Sequence, residues 1–550
     1  MAPTIPRIDL TMQDLRTLLD QVRPRLTEEE YAKLTAVVHT LGYVADLLDD
    51  QTTTIARLRE LLLASPRTEK TRQVLQAAGL AESGADRSAE DGHAAGSRPP
   101  RERQRRGHGR NGADAYAGAQ RVGVPHQQLK AGDRCPGCTT GKAYGQREPG
   151  LLVRLVGQAP IAATVYALEK LRCNLCGEVF TADPPPGVGA EKYDATTGAM
   201  VALLKYGSGM PFHRLERLQA DVHLPLPAST QWEIVAGTAT RIHSALDELI
   251  RQAAQGEVLH NDDTSMTVLA LVTPGSSVVD PDGDDVSPDR TGVFTSGIVA
   301  TRDGHRIALF FTGRRHAGEN LAQVLAARAA DLGPPIQMCD ALTRNLPKPF
   351  EVIVGHCLAH SRRRFVAVTP SFPAECRSVL ETLRDVYRYD AEARDAGWSA
   401  DERLRFHQAH SGPLMDGLHT SLTAQLAERR VEPNAGLGQA MTYLLKHWTT
   451  LTLFLRQPGA PLDNNICERA LKKAILHRRN ALFYKTLNGA HVGDLFMSLI
   501  HTCELEGVNP FDYLVALQQH ADAVKETPAA WLPWTYRTTL QPLELSLDSG

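Results

Sequence analysis

The 550-residue chain lacks long apolar runs. The longest, such as residues 307–311, are far shorter than the roughly 18–20 residues that a membrane-spanning helix needs, which excludes an integral membrane protein. The first 20 residues carry charges through their apolar pattern and lack the apolar centre of a signal peptide. We therefore expect a cytoplasmic protein with no membrane partner.

The chain also lacks an excess of charge of one sign. Its 60 Lys and Arg stand against 63 Asp and Glu, for a formal net charge of -3. An even spread of these charges would disfavour a nucleic-acid partner, but the charges are clustered. Residues 98–134 hold nine basic and three acidic residues, residues 469–485 hold six basic residues and no acid, and residues 260–290 hold seven Asp and one Arg. The basic clusters suit phosphate groups.

The chain has nine cysteines, an odd number. Four of them occur as two C-x-x-C pairs, Cys135 with Cys138 and Cys173 with Cys176. Without a secretory signal this pattern favours metal over disulfides. Two pairs supply the four thiolates of a tetrahedral structural Zn²⁺, whereas a redox motif needs only one pair. The sequence predicts a zinc-binding module over 132–185.

The length suggests about three to four domains. Residues 1–80 form an N-terminal helical region, in which apolar residues repeat every seven positions from Leu34 to Leu62. This repeat favours an intermolecular coiled coil over a helical hairpin on the same chain. Residues 81–131 are a basic flexible linker, which serves either as a solvated tether or as a phosphate contact.

Residues 186–255 are predicted to be helical, with a weak helix-turn-helix signal typical of DNA binding. The hydrophobic period then changes to that of strands, followed by a helix and a further strand, which indicates a mixed α/β sheet. Helical patterns dominate from 357 onward, and the tail over 521–550 carries no prediction. The predicted strands lie at 258–261, 267–273, 292–300, 307–312 and 336–340.

Three acidic residues stand at informative places: Asp262 after the first predicted strand, Asp340 at the end of another, and Glu468 near a helix start that Asp463 can cap. Carboxylates at strand ends and on a following helix can converge and hold Mg²⁺, and two such ions assist in-line displacement at a phosphodiester. Spacing alone does not establish convergence, and helix capping or surface ion pairs are the alternatives.

A further cluster covers residues 356–360, where Cys357 and His360 lie three positions apart on a helical face. Two ligands are too few for a metal site. The sequence therefore favours helix packing, with the following Arg362, Arg363 and Arg364 facing phosphates.

Several of these blocks together resemble transposases of the insertion sequence 66 family, a group of DDE transposases. LHNDDTSMTVL (259–269) is similar to the family's first-Asp motif, MCDALTRN (338–345) occupies the place of the second Asp, and GHCLAHSRRRF (355–365) is similar to its Cys-x-x-His-x-Arg-Arg block. LDNNICERALKKAILHRRNALF (462–483) matches its Asp-Asn-Asn-x-x-Glu-Arg signature. The resemblance covers about 30–520.

The resemblance implies an RNase H-like catalytic domain over 256–520 with a helical insertion at about 370–456. It implies that Asp262, Asp340 and Glu468 are catalytic and bind Mg²⁺ or Mn²⁺. They would promote cleavage at transposon ends, after which the freed 3′-hydroxyl attacks target DNA. The expected roles of Asp263 and Asp463 are structural.

The same resemblance makes DNA, as transposon ends and as target, the expected partner. It also implies small accessory transposition proteins and association with the nucleoid when DNA is bound. The heptads, and a reaction that must join two ends, both favour a homo-oligomer. A catalytically inactive zinc-containing DNA-binding protein and a structure-selective RNase H-like nuclease are the alternatives. The predicted phosphate contacts are Arg362, Arg363, Arg364, Arg469, Lys472, Lys473, Arg478 and Arg479.

Overall fold

The computed structural model describes residues 70–78, 130–134, 158–172, 179–188, 191–272 and 291–547, with isolated positions at 23, 31, 34–35, 136 and 142. Several predictions lie outside the described residues: the four zinc ligands, residues 81–129 of the 81–131 linker, and all the heptad positions except Leu34. Within the described part of the chain, no helix combines the length and apolar content needed to cross a lipid bilayer.

The chain divides into two compact units. The smaller comprises the described residues of Met1–Gly84 with Ser361–Tyr387 and Leu414–Tyr443. The larger comprises those of Ala85–His360 with Arg388–Pro413 and Leu444–Gly550, and it holds the sheet and all three predicted catalytic carboxylates.

Helices precede the central sheet, together with a two-stranded antiparallel ribbon of β1 and β2. A π-helix at Leu203–Gly207 follows α2 directly. This is the region where the sequence predicts helices over 186–255. The elements are α1 (Thr71–Ala77), β1 (Lys170–Arg172), β2 (Val179–Thr181), α2 (Ala195–Ala202), α3 (Phe212–Asp221) and α4 (Ala228–Ala254).

The central part of the chain forms a five-stranded mixed sheet with the order β5-β4-β3-β6-β7. The strands β3, β4 and β5 pair antiparallel, whereas β6 and β7 run parallel to β3. The mixed α/β architecture is as the sequence predicts. Its elements are β3 (Val258–Ser265), α5 (Leu269–Val272), β4 (Phe294–Arg302), β5 (His305–Gly313), α6 (Ala317–Leu325), β6 (Ile336–Cys339) and β7 (Ile353–His356).

The strand predicted at 267–273 is wrong, because the structure forms the short helix α5 there. Val268 and Leu271 are buried three positions apart while Leu269 is exposed, which is a helical rather than an alternating pattern. A short apolar run does not distinguish the two by itself. The sequence also misses β7, whose four residues are the outermost parallel strand.

Helices follow the sheet. Those over 373–451 fill the stretch where the sequence predicts a helical insertion, and α12 then carries Glu468 back to the sheet. These helices are α7 (Leu358–Val368), α8 (Pro373–Asp395), α9 (Ala400–Ala427), α10 (Gly436–Lys446), α11 (Trp448–Leu451), α12 (Asn465–Ala481), α13 (Leu487–Leu505), α14 (Pro510–Gln519), α15 (Ala521–Glu526) and α16 (Tyr536–Leu547).

One hydrophobic core joins the helices to the sheet in the larger unit. The long helix α4 buries Val235, Ile242 and Leu249 at helical spacing, and these side chains belong to the same cluster as Ile298 and Ile307 of the sheet. Each fully buried aliphatic side chain contributes about 1.5–3 kcal/mol. The 186–255 segment therefore supports the sheet through a continuous core.

The edge strand β5 is closed by a polar ladder from helix α13 and the residue just after it. Four side chains spaced four residues apart, Asp494, Ser498, Thr502 and Glu506, accept hydrogen bonds from backbone N–H groups spaced two residues apart on β5, at 312, 310, 308 and 306. The spacings match because four helical residues rise about 6 Å and two strand residues about 6.8 Å. We call this contact the edge ladder.

Candidate active site

The register of the parallel strands β3 and β6 places Asp262 and Asp340 at the same height along the sheet. His260 of β3 pairs with Met338 of β6, so Asp262 and Asp340 each lie two residues beyond a paired position. Neighbouring strands are about 4.8 Å apart, and residues with the same offset lie on the same face. Asp262 lies within β3, which continues to Ser265 through its pairing with β4, past the strand end that the sequence predicts.

The third carboxylate arrives on α12, which packs on β3 and β4. Gly297 of β4 pairs with Asp262 and leaves room for this approach. A Cβ at Gly297 would lie 3.0 Å from both Cγ and Cδ2 of Leu471, and the Cys467 thiol donates to the Gly297 carbonyl at 3.2 Å. The absent side chain thus lets α12 lie against β4 and brings Glu468 toward Asp262.

Asp340 and Glu468 lie close enough to Asp262 for their charges to act on its carboxyl group; we call these three residues the carboxylate trio. Burial, together with the negative charges of Asp340, Asp263 and Glu468, raises the pKa of Asp262 to about 7, against the opposing effect of the hydrogen bond from the Asp263 N–H. Hydrogen bonds to Asp340 from the Leu342 N–H and the Asn345 amide both fall on Oδ1. The trio therefore concentrates negative charge on carboxylate oxygens.

A buried set of side chains fixes the backbone around the trio; we call it the polar network, and it consists of His260, Asn261, Gln337, Asn345 and Asn464. The Asn261 amide donates to the Asn345 carbonyl at 2.8 Å, and Gln337 donates to both residues at 2.8 and 2.6 Å. Asn464 donates to the Asn261 carbonyl at 3.0 Å and contacts His260 Nδ1 through Oδ1 at 3.1 Å. Each chain segment bearing a carboxylate is therefore tied to the others.

Asp263 and Asp463 both have protein partners, although the cap position of α12 is Asn464 rather than the predicted Asp463. The Asp263 side chain is 2% exposed and contacts His316 Nδ1 at 2.9 Å and the Arg344 guanidinium at 3.2 Å. Asp463 accepts a hydrogen bond from the Asn465 N–H, the first residue of α12, at 3.0 Å. Asp263 thus faces the basic partners rather than an open part of the site.

The 356–360 block gains a third ligand that sequence spacing does not reveal. One ligand atom each from Cys357, His360 and Glu468 lies within 4.8 Å of the others, and this is the metal-capable group found among the described residues. The His360 Nε2 to Glu468 Oε1 distance is 3.7 Å. We call these three residues the mixed-ligand cluster; the carboxylate trio does not meet the same 4.8 Å limit.

The predicted phosphate contacts have different surroundings. On α12, Arg469, Lys472 and Arg479 are exposed at helical spacing, whereas Lys473 pairs with Glu504 at 2.7 Å and Arg478 donates to Thr264 and Ser265.

In the smaller unit, Arg362 is 8% exposed and donates to Thr71 at 3.0 Å. Arg364 is exposed, and its guanidinium lies 3.9 Å from the Tyr443 ring centroid. Arg363 is half-buried.

Residues 192–492, more than half of the chain, match the family described as Transposase IS66 family. The matched range contains the sheet, the carboxylate trio, the polar network and the mixed-ligand cluster. The class is therefore that of transposase-family proteins. The chain belongs to the IS66 transposase family.

Relatives from Sinorhizobium fredii (strain NBRC 101917 / NGR234) are similar over parts of their length. The uncharacterized protein y4jD is 31% identical over 190 residues, which are 34% of this chain and 36% of that protein. The uncharacterized protein y4hP is 26% identical over 67% of each chain, and y4qI is 24% identical over 62% of each. The chain thus covers about one to two thirds of the relatives it matches.

Sequence reasoning missed the polar network and the third ligand of the mixed-ligand cluster. Asn261 adjoins Asp262, and Asn464 lies four residues before Glu468. Their closeness in sequence to the predicted catalytic acids could have identified them as members of the site. Gln337 could not be identified in this way, because its sequence position is that of an ordinary residue within a short apolar strand.

Proposed function

We propose that this chain is a DDE transposase with an RNase H-like catalytic core. It cleaves DNA at the ends of its element and joins the freed 3′ ends to target DNA. The observation that carries the proposal is the approach of the carboxylate trio from β3, the end of β6 and α12. Membership of the IS66 transposase family supports the same function.

The sheet topology supports the RNase H-like assignment. Three antiparallel strands are followed by two strands parallel to the first, and the order is β5-β4-β3-β6-β7. The first acidic residue lies on the central strand and the second follows the neighbouring parallel strand. Ligands of open α/β sheets bind at the carboxyl ends of the strands, and Asp262 lies in the carboxyl-terminal half of β3 while Asp340 directly follows β6.

The residues fit Mg²⁺ or Mn²⁺. These ions prefer carboxylate oxygens, and the half-buried Asp262 is surrounded by three further negative charges that a cation would offset. Asp262, Asp340 and Glu468 would hold the ions. When bound there, the metal ions would stabilise the charge on the phosphate as Lewis acids and would lower the pKa of the attacking water or 3′-hydroxyl.

In the proposed reaction a water oxygen attacks phosphorus and the bond to the 3′ oxygen breaks, leaving a 3′-hydroxyl and a 5′-phosphate. The 3′-hydroxyl oxygen then attacks a target phosphate, and one target P–O bond breaks as the new bond forms. The polar network holds the three carboxylate-bearing segments in register. The side-chain amide of Asn345 donates to Oδ1 of Asp340 and so orients that carboxylate.

The exposed face of α12 is the part of the larger unit best suited to DNA. Arg469, Lys472 and Arg479 lie on this face, and Leu476 and Phe483 are about 40% exposed beside them. Such residues position phosphates rather than read bases. Arg363 and Arg364 are further proposed contacts, whereas the buried Arg362 is held by Thr71.

The remaining parts of the proposal come from sequence. The four cysteines at 135, 138, 173 and 176 would hold a structural Zn²⁺, and the heptads over 34–62 would join copies of the chain. The helical segment over 186–255 would contribute to DNA binding. A homo-oligomer suits a reaction that must bring two element ends together, and small accessory proteins could join it.

The test is cleavage of DNA carrying the element's native ends, in Mg²⁺ or Mn²⁺. We expect Asp340→Asn and Glu468→Gln to reduce cleavage by about 100-fold or more, because even outer-shell changes at metal sites cost about 10–100-fold. Asp331→Asn is the matched control, since Asp331 is an exposed acid of the same unit. Full cleavage by Asp340→Asn would contradict the proposal.

Two other outcomes would replace it. Specific binding to the ends without cleavage in either metal would indicate a catalytically inactive DNA-binding protein. Cleavage of branched or hybrid substrates without preference for the ends would indicate a structure-selective nuclease.

A further inference from the structure

We propose that Cys357, His360 and Glu468 form a transition-metal site that takes Zn²⁺, and that Zn²⁺ bound there draws Glu468 away from the carboxylate trio. The second half rests on the proposed function, because it assigns Glu468 to the catalytic ions. The first half stands on the geometry of the mixed-ligand cluster alone.

The local fold explains why the first two ligands meet. Cys357 follows β7 and directly precedes α7, so it occupies the cap position of that helix and His360 is its third residue. Side chains at these two positions face each other, as in a capping box. A thiolate and an imidazole are thereby placed at one helix start, and both are preferred ligands of Zn²⁺.

The third ligand is brought in by backbone contacts. The Leu358 N–H donates to the Leu462 carbonyl at 3.0 Å, and the Asn464 N–H donates to the Cys357 sulfur at 3.2 Å. The segment before α12 is therefore fastened to the start of α7. Glu468, one turn further along α12, reaches the same point.

The distances suit one ion. Two ligands of a tetrahedral Zn²⁺ with bonds of about 2.0–2.3 Å lie about 3.3–3.8 Å apart. The 3.7 Å between His360 Nε2 and Glu468 Oε1 lies in this range, and side-chain rotation can close the remaining separations, all under 4.8 Å. Three protein ligands leave a fourth position for water, as in many zinc sites.

A second observation concerns the imidazole. His360 Nδ1 is buried and, among the residues that the structure describes, has no hydrogen-bond partner. Nε2 is the nitrogen that faces Glu468, so coordination would use Nε2 and leave Nδ1 to carry the proton of the neutral ring. The Cys357 thiol proton would pass to solvent as the metal–sulfur bond forms.

The cluster also differs in kind from the carboxylate trio. Mg²⁺ favours oxygen ligands, while sulfur and imidazole select softer ions such as Zn²⁺. Glu468 belongs to both sets, so occupation of one site competes with occupation of the other. The expected consequence is inhibition by Zn²⁺ of a reaction that depends on Mg²⁺.

The test compares the full-length wild-type protein with Cys357→Ser and His360→Gln. Serine is a good helix cap and can accept the Asn464 hydrogen bond, so Cys357→Ser removes the zinc ligand while keeping the local structure. Cys503→Ser is the matched control, because Cys503 is a buried cysteine in α13. Melting temperatures verify that every variant is folded.

The first readout is bound Zn²⁺ per chain after equilibration, together with the sulfur-to-metal charge-transfer absorption of Co²⁺-loaded protein. We expect both variants to bind one equivalent less than wild type and than Cys503→Ser, whatever the four-cysteine module binds. Equal metal content in wild type and both folded variants would overturn the proposal. This readout needs no DNA cleavage, so it remains decisive if the proposed function fails.

The second readout is cleavage at fixed Mg²⁺ with increasing Zn²⁺, each protein normalised to its own zinc-free rate. Wild type should lose about tenfold or more at Zn²⁺ concentrations that fill the site, and Cys357→Ser less than about twofold. Inhibition of equal strength in both would show that Glu468 is not withdrawn through this cluster, which would overturn the second half alone.

Discussion

Substitution of Gly297 by alanine would test whether the close approach of α12 to β4 sets the geometry of the carboxylate trio. The new Cβ would lie 3.0 Å from two carbons of Leu471 and 3.5 Å from the Cys467 sulfur. Carbon atoms prefer separations of about 3.5–4.0 Å, so Leu471 or the whole helix must shift by roughly 0.5–1 Å.

Two magnitudes follow from this shift. Overpacking of a core by one methyl group costs about 1–3 kcal/mol. Misplacement of a catalytic group by about 1 Å costs about 100-fold in rate, so cleavage should fall by about 10–100-fold as Glu468 moves with α12. Binding to the ends should remain, because the exposed basic face of α12 is not altered.

The assays are urea unfolding, end binding and cleavage of native ends, each with Gly313→Ala as a control. Gly313 ends β5 and has open space around its Cβ position, so alanine there should be nearly neutral. Adding Leu471→Ala to Gly297→Ala should cost less than the sum of the two single changes, since the clash is then relieved. Additive effects, or full activity in Gly297→Ala, would refute the argument.

Four further predictions concern other parts of the chain. Burial raises the pKa of Asp494 to about 7. The folded state therefore keeps the Asp494 proton, while the unfolded state loses it between pH 4 and 7. Asp494→Asn should match the unfolding free energy of wild type in urea at pH 4 and exceed it by up to about 4 kcal/mol above pH 7. Equal pH profiles would contradict this. Asn464→Ala should lower the unfolding free energy by about 1–3 kcal/mol and slow cleavage, because it leaves buried partners unpaired; an unchanged midpoint would argue against the polar network. Lys472→Ala should reduce the slope of log affinity against log salt in end binding by about one. Lys473→Ala should change this slope less, because Lys473 is already paired with Glu504. Cys135→Ser should release one zinc per chain in metal analysis, and a folded wild-type chain without zinc would refute the four-cysteine module.

Much of the fold could be predicted because hydrophobic period reports secondary structure directly. The strands at β4, β5 and β6 and the start of β3 follow from apolar runs of the right length. The prediction failed at 267–273, where seven residues are too few to distinguish a strand from one helical turn. It also missed β7, since its short run ends in Gly355 and His356.

The candidate site was predictable only in part, because the sequence names residues but not their distances. Family resemblance pointed to the carboxylate trio, and the register of β3 with β6 gives the physical reason for the first pair. No spacing rule links His360 to Glu468, which are 108 positions apart in sequence. The burial of Arg362 was equally hidden, because a run of three arginines suggests an exposed surface.

The edge ladder has a consequence for how copies of this chain can assemble. An edge strand with free N–H groups is a template on which another chain can add a strand. On β5 the N–H groups at 306, 308, 310 and 312 are already occupied by side chains of the α13 region. Growth of the sheet from one protomer into the next is therefore blocked at the β5 edge, so any association between copies of this chain must use another surface.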